Sequence, residues 1–424
     1  MQIKERQFSS LREKTEEITL ANGLSIFYIP KSDFAKTFAL FATNFGSVDS
    51  SFTLEGEKIH TPDGVAHFLE HKMFEDADGN ALQKFARTGA SPNAYTSYAM
   101  TAYHFSCTDR FMENLEILLR FVSNPYFTDE NVEKEKGIIG QEIGMIEDSP
   151  GWVAYTNALK GLYAHHTVRS SIAGTVASIA GIDKELLFRC HRAFYAPANM
   201  KLVICGQADL EQVARLAEEI LPAQSPRIAQ RDYGQAELPV ADQKEITVQM
   251  AVSQPIFMLG IKTPPLQPGE SRMRRECLGE LALEYILGES SLFYNNTLYE
   301  ERLISDGFGT EYFIFPQGAA VLLGGESRDP AQVQKRLLQT LNGLEALDEE
   351  RVERLRRRQY GLTLRQLDDP GSLCRAQAEY AFAGEDFLDF PQYYADIASA
   401  EILAFLRQLA DADKMTLSVV QPKH

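Results

Sequence analysis

The spacing of apolar residues changes period several times along the chain. Between residues 16 and 46, EEITL, LSIFYIP and TFALFATNF are short runs rich in Ile, Phe, Tyr and Thr, separated by turn residues. Runs of this length and composition predict strands. Asn22-Gly23 between the first two predicts a hairpin, because both residues tolerate the positive φ of a tight turn. Residues 63–75 and 81–88 then space their apolar side chains three and four apart, which predicts helices. SPNAYTSY and TAYHFSCT return to strand patterning. FMENLEILLRFVSNP and DENVEKEKGIIGQEIGMIED return to helical spacing, the second with Asp129 as its expected N-cap. MKLVICG predicts a strand ending near Gly206, and DLEQVARLAEEIL a helix after it.

The texture then breaks. Residues 224–243 are polar and rich in Pro, Gln and Ala, the composition of an interdomain linker. Beyond them the order of elements restarts. KEITVQM and PIFMLGIKT predict strands, RRECLGELALEYIL and SLFYNNTLYEERL helices, and GFGTEYFIFPQ with AAVLLGGES a strand pair. Four helical stretches follow, and MTLSVVQP closes the chain in the pattern of MKLVICG. The expectation is an α+β fold of two homologous domains, each an antiparallel-rich sheet packed with helices. The first domain spans residues 1–223, the linker 224–243 and the second domain 244–424.

A chain of 424 residues exceeds what one hydrophobic core serves, which agrees with two domains. The formal net charge of −17 argues against a nucleic-acid binder. The five cysteines are scattered with no CxxC pair, which points to a reducing compartment and buried thiols rather than disulfides or a cysteine zinc site. The polar opening segment has no apolar core, and no run reaches the ~18 apolar residues a membrane helix needs. A cytoplasmic protein without membrane contact is expected.

The candidate chemistry lies in GVAHFLEHKMF. His67 and His71 at i, i+4 share one face of a helix, so two imidazoles can reach one metal ion from a rigid support. Glu70 stands beside His71, near where a metal-coordinated water would lie. The order HxxEH inverts the commoner HExxH and presents the same groups. A catalytic zinc needs a third protein ligand and an open position. Glu135 and Glu142, two turns apart on a later helix, are both candidates on spacing alone. His165 and His166 form a loop-like pair, better read as surface or supporting residues than as ligands.

HFLEH, SPNAYTSYAMTAYHF, EKGIIGQE and HHTVRSSIAGTVASI together resemble the pitrilysin–insulinase–mitochondrial processing peptidase family of inverted-motif zinc peptidases. The resemblance implies a processing-peptidase-like fold and a metalloendopeptidase activity on unstructured peptides, with one Zn2+ per chain. His67, His71 and Glu142 match the metal ligands. Glu70 matches the catalytic general base, and Glu135 a supporting acidic member of the catalytic set. Asn93 and Ala94 match the strand that receives the substrate backbone.

The second half departs from the family. Active members resemble one another there in an Arg and a Tyr seven residues apart that reach the zinc site. In SSLFYNNTLYEERLISDGFGTEY, Tyr299 stands where the Arg would be and Asp306 lies seven residues later, while Arg302 and Tyr312 have the wrong spacing. The departure implies a related partner subunit that supplies the pair in a heterodimer; a homodimer is possible but would not restore it. The alternatives are a non-catalytic assembly or peptide-binding subunit that keeps the fold, and a metal-dependent hydrolase of non-peptide substrates.

Overall fold

The computed structural model describes residues 2–76 and 79–423. Residues 77 and 78, inside the stretch that follows HFLEH, lie outside the described residues, as do 1 and 424. The chain forms two compact units. The first comprises residues 1–143, 171–233 and 364–389; the second comprises 144–170, 234–363 and 390–424. The compact units therefore cut across chain order, each taking a segment from the other half.

In the first unit, seven strands form one sheet: β1 (Lys4–Phe8), β2 (Glu13–Thr19), β3 (Ser25–Pro30), β4 (Thr37–Thr43), β9 (Ser91–Thr96), β10 (Thr101–Cys107) and β11 (Met200–Gly206). Their order is β1-β2-β3-β11-β4-β10-β9. The hairpin expected at Asn22-Gly23 joins β2 to β3, with Thr19 opposite Ser25. All pairs are antiparallel except β11 with β3. β4 is buried along its whole length, while β9 at the edge is exposed or half-buried. Two smaller sheets pair β5 (Ser51–Leu54) with β6 (Glu57–His60) and β12 (Gln230–Arg231), and β7 (Glu75–Asp76) with β8 (Gly79–Asn80).

Helices α1 (Val65–Met73), α2 (Ala81–Thr88), α3 (Phe111–Ser123) and α4 (Asp129–Glu147) fall close to their expected places. The cap of α4 differs. Thr128, not Asp129, precedes the helix: its hydroxyl accepts the Asn131 N–H at 3.1 Å, and its own N–H donates to Asn131 Oδ1 at 2.9 Å. A reciprocal pair satisfies two backbone groups where a lone Asp would satisfy one. Helix Pro370–Phe382 lies on β11 and β4 of this unit.

The second unit carries a five-stranded sheet in the order β13 (Glu245–Met250), β17 (Met415–Pro422), β14 (Ile256–Thr263), β16 (Gly318–Glu326), β15 (Gly309–Phe315). Helix α5 (Pro150–Leu162) packs on β14 and β17. Five α-helices, not four, separate β16 from β17, because two of them are short and lie within one continuous polar–apolar pattern. Residues 293–299 wind as a π-helix rather than the expected α-helix.

The linker is tied down. Gln230 and Arg231 pair with β5, Arg231 Nε donates to Asp49 Oδ1 at 2.8 Å, and Tyr233 OH reaches the same oxygen at 3.1 Å. Further on, Glu237 accepts the backbone N–H groups of Ala164, His165 and His166 at 3.1, 2.6 and 2.7 Å. Composition does not show these anchors because their partners lie far away along the chain. All five cysteines are buried and unpaired. Among the described residues, no helix is long and apolar enough to cross a membrane.

Candidate metal centre

Helix α1 is buried on nearly every side: Val65, Ala66, His67, Phe68, Leu69, Glu70, Lys72 and Met73 are all inaccessible or nearly so. Burial on this scale fixes rotamers, so the polar groups on the helix are held rather than solvated. Its N-terminus is set by a close backbone approach. Gly64 has φ 94°, and a Cβ there would lie 2.5 Å from the Ala173 carbonyl oxygen. Gly174, at φ 73°, would place a Cβ 2.3 Å from the Asp63 carbonyl oxygen. Ser178 Oγ donates to that same Asp63 oxygen at 2.8 Å, and Thr175 with Ser178 forms a capping box. The IAGTVASI segment thus buttresses the start of α1, a role its sequence did not disclose.

From this support His67 and His71 project toward Glu142 of α4. His67 Nε2 lies 3.6 Å from Glu142 Oε1, and His71 Nε2 lies 3.5 Å from Glu142 Oε2. One donor atom from each residue falls within 4.8 Å of the others, the sole such His/Cys/Asp/Glu group among the described residues. These separations are long for hydrogen bonds. Donors bound at ~2.1 Å in tetrahedral directions stand roughly 3.4 Å apart, so the spacing suits a shared ion. His67 Nδ1 is buried with no hydrogen-bond partner among the described residues, unlike His71 Nδ1, which Glu135 faces. Two imidazoles and one carboxylate are also the donor set of catalytic zinc. The residues present fit the ion.

Of the two carboxylates that spacing left open, Glu142 faces both imidazoles. Glu135 sits behind: its Oε1 is 3.1 Å from His71 Nδ1, and its side chain is 8% exposed. An acceptor on Nδ1 fixes that ring nitrogen as the N–H and leaves Nε2 its lone pair. Burial works against charge on Glu135, but the His71 contact and the Lys72 ammonium outweigh it and hold its pKa below the ordinary value. The His67 imidazole similarly lowers the pKa of Glu142.

Glu70 is 8% exposed, and burial raises its pKa above the ordinary carboxylate value against the opposing pull of His67 and His71. Its Oε2 accepts a hydrogen bond from Thr96 Oγ1 at 3.0 Å. Thr96 ends edge strand β9, so one short strand also carries the two residues matched to substrate binding. Asn93 is exposed, and its Oδ1 accepts the Ala94 N–H at 2.9 Å. The strand pattern SPNAYTSY assigns Thr96 no role; the one signal for it is a hydroxyl at the end of the strand that also carries Asn93 and Ala94.

His166 does not offer a ligand. Its Nδ1 accepts the Val168 N–H at 3.0 Å and its Nε2 lies 2.8 Å from the Pro316 carbonyl, while His165 is exposed. Tyr299 is 48% exposed at the end of the π-helix, Asp306 is exposed, and Tyr312 OH lies 3.5 Å from Arg275 Nη1.

A family model described as Insulinase (Peptidase family M16) matches residues 57–176, and one described as Peptidase M16 inactive domain matches residues 181–359. The protein named "uncharacterized zinc protease YmfH" of Bacillus subtilis is 36% identical over 99% of this chain and 100% of its own length. The crystal structure of an M16-like peptidase from Alicyclobacillus acidocaldarius superposes with a TM-score of 0.92 at 35% identity, covering 97% of this chain and 99% of that one. A Helicobacter pylori protease shares the fold, with a TM-score of 0.83 at 18% identity over 97% of this chain and 100% of its own. With a buried inverted histidine motif facing a glutamate on a second helix, the chain belongs to the insulinase (M16) family of peptidases.

Proposed function

We propose that the protein is a zinc-dependent endopeptidase subunit that cleaves unstructured peptides. The observation that carries this reading is the approach of both imidazole Nε2 atoms to one Glu142 carboxylate, with the buried Glu70 on the same helix. When bound, a zinc ion supplies a polarised carbonyl and an acidified water. Glu70, buried and with a raised pKa, takes the proton from the attacking water and delivers it to the leaving amine. Thr96 holds the Glu70 carboxylate in place for both transfers. The outer edge of β9 at Asn93 and Ala94 holds the substrate main chain by strand addition, once the Asn93 side chain gives up the Ala94 N–H.

A related subunit supplies the Arg–Tyr pair that this chain lacks at Tyr299 and Asp306, and the five buried thiols favour the cytoplasm. The second reading is a non-catalytic peptide-binding subunit, favoured by that same missing pair. Quenched-fluorescence peptides separate the two. The enzyme reading predicts zinc-dependent hydrolysis, lost with a chelator and restored by zinc, by the chain with a paralogue that carries the pair. Peptide binding without hydrolysis in the same mixture supports the second reading.

A further inference from the structure

Helix α1 carries one charge that the proposed chemistry does not use. Lys72 directly follows His71, and its side chain is 0% exposed. A lysine is almost never fully buried unless it is paired, because removing an ammonium from water costs several kcal/mol. Its Nζ lies 2.7 Å from Glu75 Oε2 and 3.6 Å from Glu135 Oε2. The other oxygen of Glu135 is the one on His71 Nδ1 at 3.1 Å. His71 and Lys72 are consecutive, so they leave the helix about 100° apart. The Glu135 carboxylate bridges them, one oxygen toward each. A carboxylate held by one hydrogen bond can swing about its last torsion; a positive charge beside its other oxygen biases it toward one orientation.

We propose that Lys72 is a positioning residue of the metal centre that acts through Glu135. The ammonium, 3.6 Å from Glu135 Oε2, attracts that oxygen by charge rather than by a hydrogen bond, which favours the orientation that keeps Oε1 on His71 Nδ1 and His71 Nε2 turned toward Glu142. An apolar side chain of similar length would fill the same space without desolvating a charge, so packing alone does not account for a lysine here. The competing role is an ion pair with Glu75 alone, serving only the end of the helix. The proposal rests on the reading of His67, His71 and Glu142 as ligands.

A double-mutant cycle on zinc affinity separates the roles, with zinc alone as the probe in competition against a chromophoric chelator. Lys72→Met weakens zinc binding ~10-fold or more, Glu135→Gln weakens it comparably, and the double variant is no weaker than Glu135→Gln alone. Glu75→Gln stays within about twofold of wild type. Unchanged affinity in Lys72→Met or Glu135→Gln, or losses that multiply in the double variant, overturn the proposal. Should Lys72→Met fail to fold while the double variant folds, the unpaired Glu135 carboxylate is the cause and the coupling stands. If neither folds, Lys72 serves the fold independently of Glu135 and the proposal is wrong. A wild-type chain that binds no zinc sinks the ligand reading itself; a wild type that binds one zinc, with Lys72→Met its equal, sinks only the role of Lys72.

Discussion

Each unit carries buried or half-buried glutamates on helices, and the two sets behave differently. In the second unit, helix Arg272–Leu287 holds Glu276, Glu280 and Glu284, one turn apart. Each closes on a partner: Arg272 Nε lies 2.8 Å from Glu276, Tyr394 OH donates to Glu280, and Arg358 Nη1 lies 3.0 Å from Glu284. In the first unit, Glu142 faces two imidazoles at 3.5 and 3.6 Å and closes on neither. Buried acids alone do not mark a metal site. Donors that converge while leaving room for an ion between them do.

The largest effect that tests this contrast falls on Glu70. Glu70→Gln keeps zinc at the wild-type level and lowers peptide hydrolysis ~10³-fold, within the range of general-base contributions. Retained hydrolysis would place the base elsewhere and remove the functional half of the comparison. Thr96→Val comes next. Loss of a hydrogen bond to a carboxylate costs about 1.5–3 kcal/mol, so kcat falls roughly 10–100-fold while zinc content holds, and Thr96→Ser recovers most of it. A drop in zinc content with Thr96→Val would show that Thr96 supports the ligands rather than the base.

Acid stability sharpens the picture of the first unit. Burial lowers the pKa of His191 and His104 to about 4. Each ring stays neutral in the fold but takes a proton in the unfolded chain, whose pKa is ~6.5. Their stabilisation is present above that value and is lost as pH falls toward the folded pKa. His191→Phe, which keeps the stacking on Tyr195, narrows the stability gap between pH 7.5 and pH 5 by about 2 kcal/mol in the metal-free protein. Urea unfolding at both pH values measures it; an unchanged gap would show that His191 is not the acid-sensitive group. The smallest effect belongs to the second unit. Glu280→Gln keeps an acceptor for Tyr394, shifts stability by less than about 1 kcal/mol and leaves zinc content untouched. Loss of zinc in that variant would erase the distinction between the two sets.

Strong local patterns were legible along the chain. The Asn22-Gly23 hairpin, helix 81–88 and strand Met200–Gly206 fall where turn chemistry and periodicity put them. The spacing of HFLEH placed two imidazoles on one helix face, and resemblance favoured Glu142 over Glu135 as their partner. Long-range features were not legible. The buttress of Gly64 by Ala173 and Gly174 joins segments more than a hundred residues apart. Lys72 reads locally as a polar residue on a helix, and only the folded chain shows that it is buried. Composition marks residues 224–243 as a linker but does not disclose that Arg231 and Glu237 anchor it, through contacts that no local rule contains. Residues 293–299 kept a helical period but wind more widely than an α-helix, a difference that apolar spacing over seven residues does not resolve.

The central claim is that His67, His71 and Glu142 share one ion. Metal analysis of the purified chain, stripped with a chelator, refilled with zinc and passed through a desalting column, tests it most directly when wild type and Glu142→Gln are run side by side. The account predicts one zinc per wild-type chain and a large loss of retained zinc in Glu142→Gln; a wild type that retains none, or a variant that retains as much as wild type, would contradict it.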